Sequence, residues 1–257
     1  MIRIIAMVNQ KGGVGKTTCT INLGAGLAAA GRRVLLVDLD PQANLSTSLG
    51  IDAYGSGSTI YEVLRGELPA AQAIRPKQNY SVIPASIDLS GAEIELSTAA
   101  GREFLLKEAL APLLPDYDYV LLDCAPSLGL LTLGALTLAG EVFIPLQSEF
   151  LALQGMSKLL TTVDVVQRRL NPALRISGII GTLYDGRKKL NREVIQKITE
   201  YFDDRLFDTL IRDNVSLAEA PSYGLDIFAY KPDSFGAKDY TALTQEVLAQ
   251  EEEQRNA

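Results

Sequence analysis

Asn9-Gln10-Lys11-Gly12-Gly13-Val14-Gly15-Lys16-Thr17-Thr18 is the stretch on which the reading of this chain turns. It follows the apolar run at residues 1–8, which lacks a small-residue cleavage site and reads as a first strand rather than a signal peptide. It also opens a segment of helical spacing, so a glycine-rich turn stands between strand and helix, the setting a phosphate-binding loop requires. Gly12, Gly13 and Gly15 let successive backbone N–H groups turn inward, the helix N-terminus adds positive potential, and Lys16 can reach the outer phosphates of a nucleotide. Thr17 offers the kind of hydroxyl that ligates magnesium. The residues expected to hold ATP with Mg2+ are therefore Lys11, Gly12, Gly13, Val14, Gly15, Lys16, Thr17 and Thr18. The alternative is a glycine-rich turn with incidental lysines.

Outward from this loop, apolar β-rich runs recur at residues 2–8, 34–38, 80–84, 118–124, 141–146, 176–183 and 206–211, with amphipathic segments between them. The alternation predicts an α/β fold, a mostly parallel twisted sheet with helices on both faces. Helical spacing at 17–30, 101–111, 152–170, 188–202 and 236–250 supplies the covering layers. Residues 1–249 are expected to form a single ATPase domain with a mobile loop at 52–58, and the polar residues 250–257 a disordered acidic tail.

Composition narrows the chemistry. The 257 residues include no histidine, which removes His-dependent triads and HExxH zinc sites. Cys19 and Cys124 lie far apart without CxxC spacing and read as buried small hydrophobes. A formal net charge of −7 gives no global attraction to nucleic acid or anionic lipid, so either contact would need a local basic patch. No apolar run approaches a membrane span, and a cytoplasmic location is expected.

Two strand ends carry carboxylates. The run 34–38 leads into Asp40-Pro41-Gln42, and alternation puts Asp38 and Asp40 on one side, at the carboxyl end of a strand where ligands sit in parallel sheets. Tyr119-Val120-Leu121-Leu122-Asp123 has the form of a Walker B strand, which aims Asp123 at a magnesium shell. Each also has a plainer reading, Asp123 as a strand cap and the Asp-Pro pair as a turn former.

The loop departs from the common pattern GxxxxGK[ST], because Gln10 replaces the first glycine and a second lysine, Lys11, precedes the glycine pair. KGGVGKTT resembles the deviant phosphate loop of the ParA/MinD family of ATPases. The resemblance implies a homodimer closed over ATP, with Lys11 crossing to the partner's nucleotide. A lysine given in trans neutralises charge developing in phosphoryl transfer only after two subunits have closed. The resemblance also implies that Lys11, Lys16 and Asp40 serve hydrolysis, with Asp40 positioning the attacking water. Asp38 would hold magnesium through water beside Thr17 and Asp123, and Asn214 would contact adenine.

Five blocks resemble the chromosome and plasmid partitioning ATPases ParA and Soj: DLDPQANLSTSLG at 38–50, TIYEVLRGE at 59–67, IPLQSEFLALQGM at 144–156, GTLYDGR at 181–187 and NVSLAEAPSYG at 214–224. This resemblance implies nonspecific DNA binding in the ATP state, hydrolysis stimulated by a ParB- or Spo0J-like partner, and residence on the nucleoid. Arg187 matches a family arginine implicated in DNA contact, and Lys188, Lys189, Arg192 and Lys197 extend a basic stretch that could line one helix face; the alternative is a merely solvated face. Where relatives read Pro-Arg-Asn-Val-Arg, this chain reads Arg212-Asp213-Asn214-Val215-Ser216, so two positive charges are missing and Arg212 is left to compensate. Glu251-Glu252-Glu253 argues against a MinD-like membrane switch, and the cysteine positions against an iron–sulfur reductase. A ParA-like ATPase that positions a protein cargo, and a phosphate-loop ATP-dependent ligase of small-molecule metabolism, remain as alternatives.

Overall fold

The computed structural model describes residues 2–52, 58–149, 156–202 and 205–256. Most of the loop expected at 52–58, and the start of the helix expected at 152, lie outside the described residues. Among the described residues seven strands form one sheet in the order β3-β4-β2-β5-β1-β6-β7. They are β1 (Arg3–Met7), β2 (Val34–Leu39), β3 (Arg75–Pro76), β4 (Ser81–Ile83), β5 (Tyr119–Cys124), β6 (Glu141–Gln147) and β7 (Arg175–Thr182). All pairings are parallel except that of β3 with β4. The helices that bear on the site are α1 (Lys16–Ala29), α2 (Asn44–Ser48), α3 (Leu130–Leu138), α4 (Met156–Arg169), α5 (Lys189–Phe202), α6 (Val215–Glu219) and α7 (Phe235–Asn256).

β2 and β5 are buried at every residue, as strands covered on both faces must be, and their sequences are accordingly near-continuous runs of Val and Leu. Alternation then divides the core in two. Ile5, Met7, Leu36 and Leu121 pack with Leu23 of α1, Leu45 of α2 and Leu243 of α7. Ala6, Leu35, Val37 and Leu122 pack with Ala135 of α3, Leu159 of α4 and Ile198 of α5. An interior strand, β1, lies between β5 and β6, so its carboxyl end opens into the crevice where strand order reverses.

Two expectations are corrected. The run 206–211 is not a strand: Leu206 bridges Ile179, and Phe207 and Ile211 donate to the Ile179 and Gly181 carbonyls at 3.0 and 2.8 Å. Between those points the Asp208 and Thr209 N–H groups turn to the Glu246 carboxylate of α7 at 2.8 and 2.9 Å, which takes them out of any ladder. The tail expected to be disordered from 250 instead continues α7 through Asn256. Glu251 is buried, accepts from the Tyr119 hydroxyl at 2.7 Å and pairs with Arg32 at 3.1 Å, which ties this end of the helix to the sheet. Among the described residues no helix is long and apolar enough to cross a membrane.

Candidate nucleotide site

The loop between β1 and α1 passes through left-handed backbone at Gly13 (φ 75°) and Gly15 (φ 91°), conformations that glycine alone takes without strain. Gly15 precedes α1, and the first turn of that helix has no side-chain cap and no acidic residue. Its N–H groups and the positive end of its dipole therefore face the loop with no acidic side chain within that turn to meet them. Two polar residues brace the loop. Asn9 donates to the Pro145 carbonyl at 2.7 Å and accepts the Lys11 N–H at 2.9 Å, while Thr182 donates to the Val14 carbonyl at 2.8 Å. Neither brace was singled out in the sequence, although each is a polar residue closing an apolar strand, the same signal that marked the aspartates.

The two lysines part company. Lys16 is 7% exposed, and its ammonium makes one long contact, 3.4 Å to the Lys11 carbonyl, with no ion pair among the described residues. Burial lowers its pKa, against the pull of Asp123 and Asp40. A buried ammonium lacking a carboxylate fits a polyphosphate ligand, because an unpaired buried charge is otherwise expensive. Lys11 is exposed at the rim, its Nζ 3.0 Å from Gln147 Oε1 and 2.9 Å from Glu149 Oε2. It is not brought into the cradle beside Lys16.

On the neighbouring strands Asp38 and Asp123 are register partners. Both are buried, and burial pushes both carboxyls above their ordinary range, with the Asp38 charge adding to the effect at Asp123. The Asp123 oxygens accept from the hydroxyls of Thr17 at 2.7 Å and Thr20 at 3.3 Å. The Thr17 hydroxyl with Asp123 is a hard-oxygen pair suited to Mg2+, which usually completes its shell with water and phosphate oxygens; among the described residues no group of three His, Cys, Asp or Glu side chains is arranged to hold a metal ion by itself. Asp38 is differently engaged. Its oxygens accept from the Ser46 N–H (2.9 Å), the Ser46 hydroxyl (2.7 Å) and the Asp40 N–H (3.1 Å), so it folds the turn after β2 and is less available to a metal than Asp123. Asp40 accepts the Gln42 N–H at 2.9 Å through one oxygen, and its other oxygen has no hydrogen bond among the described residues.

Asn214 caps α6, accepting the Ser216 N–H at 2.8 Å through its amide oxygen and leaving its NH2 end for a ligand. Arg212, left to compensate for the missing charges, grips the buried Asp239 at 3.0 Å and lies 4.3 Å over the Phe235 ring. Arg187, Lys188, Lys189, Arg192 and Lys197 are all exposed. Arg187 pairs with Asp185 at 2.9 Å and Lys189 with Glu193 at 3.4 Å. Glu193 lies between Lys189 and Lys197 at four-residue spacing, so positive charge is densest at 187–192 and diluted toward Lys197.

Fold and loop together define an α/β nucleotide-binding protein of the phosphate-loop class. A family model described as an AAA domain matches residues 2–176. The chromosome-partitioning ATPase Soj of Treponema pallidum is 51% identical over 253 residues, 98% of this chain and 99% of that protein. The sporulation initiation inhibitor protein Soj of Bacillus subtilis is 48% identical over 251 residues, 97% of this chain and 99% of its own. A solved structure of cobyrinic acid a,c-diamide synthase from Mycobacterium smegmatis, with bound ADP and magnesium, matches with a TM-score of 0.86 at 40% identity, covering 96% of this chain and 94% of that one. The chain belongs to the ParA/Soj family of chromosome-partitioning ATPases.

Proposed function

We propose that this protein is a cytoplasmic, ATP-dependent partitioning switch that dimerises on ATP, binds DNA without sequence preference in that state, and is released when a ParB-like partner stimulates hydrolysis. The observation that carries the reading is the pairing of a buried Lys16, with no ion pair among the described residues, under an uncapped helix N-terminus with a second lysine, Lys11, at the rim. The backbone N–H groups of 12–18 and Lys16 grip the phosphates. Thr17 and Asp123 would hold magnesium, which would supply charge neutralisation on the phosphate oxygens. Asp40 keeps one oxygen for orienting water, Asn214 faces the base, and Lys11 reaches the partner's nucleotide. Arg187, Lys188, Lys189 and Arg192 form the main DNA-facing patch.

ATP turnover measured alone, with duplex DNA, and then with a ParB-like protein tests the proposal: stimulation requiring both is expected, and turnover indifferent to both refutes it. A second reading is favoured by the structural likeness to a protein named as a diamide synthase. Under that reading a carboxylic acid substrate, not DNA and a partner protein, raises turnover.

A further inference from the structure

The carboxyl end of β6 is a junction. In Gln147-Ser148-Glu149 the outer two side chains hold Lys11 of the phosphate loop, and Gln147 donates to Glu149 at 2.7 Å to close a ring of three hydrogen bonds. The middle residue faces inward. The N–H and hydroxyl of buried Ser148 donate to the Thr182 carbonyl at 3.2 and 3.3 Å, and Thr182 in turn donates to Val14 in the phosphate loop at 2.8 Å. The Ser148 carbonyl accepts from the Asn191 amide at 2.5 Å, and the Asn191 oxygen accepts the Asp185 N–H at 2.9 Å. Asp185 then holds the Arg187 guanidinium at 2.9 and 3.0 Å. Asn191 is 6% exposed, a buried polar residue in the first turn of a helix whose neighbours at 189, 190, 192 and 193 are exposed. A side-chain amide offers a donor and an acceptor on two separate atoms, and both are used here.

We propose that Asn191 is the positioning residue through which the nucleotide state of the phosphate loop sets the arrangement of the basic segment 185–192. The inference rests on the partitioning reading for its outcome, DNA affinity, but its geometry stands apart from that reading. The bistable element is Lys11, whose single ammonium can serve either the Gln147–Glu149 ring or a nucleotide. The ring is exposed and holds it weakly, so a triphosphate draws the lysine away readily. Once it leaves, the backbone at 147–149 keeps its ties to Thr182 and Asn191, and a shift there reaches the Asp185 turn through the buried Asn191 amide.

The test compares affinity for a duplex DNA at fixed salt with ATP and with ADP, together with hydrogen exchange at 185–192 on adding Mg-ATP without DNA. Wild-type protein should favour DNA in the ATP state by about 5- to 150-fold, the usual span of allosteric coupling, and Asn191→Ala should bring that ratio to about one while retaining ATP turnover. Should Asn191→Ala not fold, Asn191→Asp keeps the acceptor for the Asp185 N–H and loses the donor to Ser148. Its added charge weakens DNA binding in both nucleotide states and cancels in the ratio. The exchange change that Mg-ATP causes at 185–192 in wild type should vanish in either variant. A persistent exchange change, or an undiminished ratio, overturns the proposal and leaves the DNA reading standing. Loss of the exchange change, with no DNA binding by wild type in any state, upholds the coupling and sinks the DNA reading instead.

Discussion

Asp123 is the residue least comfortable without a cation. Burial and the Asp38 charge lift its folded carboxyl above the ordinary range, so as pH rises the unfolded chain releases a proton that the native state still holds. The contribution to stability is thus full at low pH and lost as pH climbs through the raised value. Asp118 beside Arg33 and Asp185 beside Arg187 are lowered to about 2, and what they contribute is lost only as pH falls toward that value. We expect the Tm of the nucleotide-free protein to decline from about pH 5 to about pH 8, and Asp123→Asn to flatten that decline. Thermal melts across this range decide it, and an equal slope in the variant would assign the effect elsewhere. For Asp40→Ala we expect ATP binding by calorimetry to persist while turnover falls by about 100-fold or more, the scale of a missing positioned carboxylate; near-normal turnover would remove Asp40 from the reaction. Asp40, Asp123 and the glycines were legible because each stands where an apolar strand gives way to a turn. The grip of Ser46 on Asp38 and the outward hold on Lys11 were not, since spacing does not say which neighbouring donor occupies a given oxygen.

At the scale of elements, α7 shows how a polar segment can be ordered by very few partners. Its last residues carry no apolar stripe to mark a helix; this end is held by Gln250 against Arg3 and Ser177 and by Glu251 against Tyr119 and Arg32, the last two 132 and 219 positions away in the chain. No local pattern encodes such a pairing, which is why the tail looked disordered in the sequence. Replacing Glu251 by Ala should leave the Tyr119 hydroxyl and Arg32 without their carboxylate and cost about 1–3 kcal/mol, several degrees of Tm in a chain of this size. A Tm within a degree of wild type would show that the Glu251 pairings contribute nothing. The segment 206–211 failed as a strand for a related reason: Glu246, far along the chain, captures two N–H groups that a ladder would need.

For the molecule as a whole, the alternation of runs revealed a covered parallel sheet, but neither the strand order nor the two-residue antiparallel β3 could be read from it. Assembly follows from the exposed lysine. Lys11→Ala should remain monomeric with ATP in sedimentation, and a stable ATP dimer in that variant would refute the trans role. Replacing Arg187 and Lys188 together by Ala should weaken DNA binding across all sequences and reduce the slope of log affinity against log salt by about one for each phosphate no longer neutralised; an unaltered slope would move the DNA surface elsewhere.

β1 is held on one side by β5 and on the other by β6. Its register partners thus begin at Tyr119 and Glu141, more than a hundred residues downstream, and this strand cannot settle on a ribosome until those much later parts have emerged. A half-synthesised polypeptide, though it already contains every glycine of the loop, has no wall on which to hang them and should be blind to nucleotide until the strand ending at Gln147 is in place.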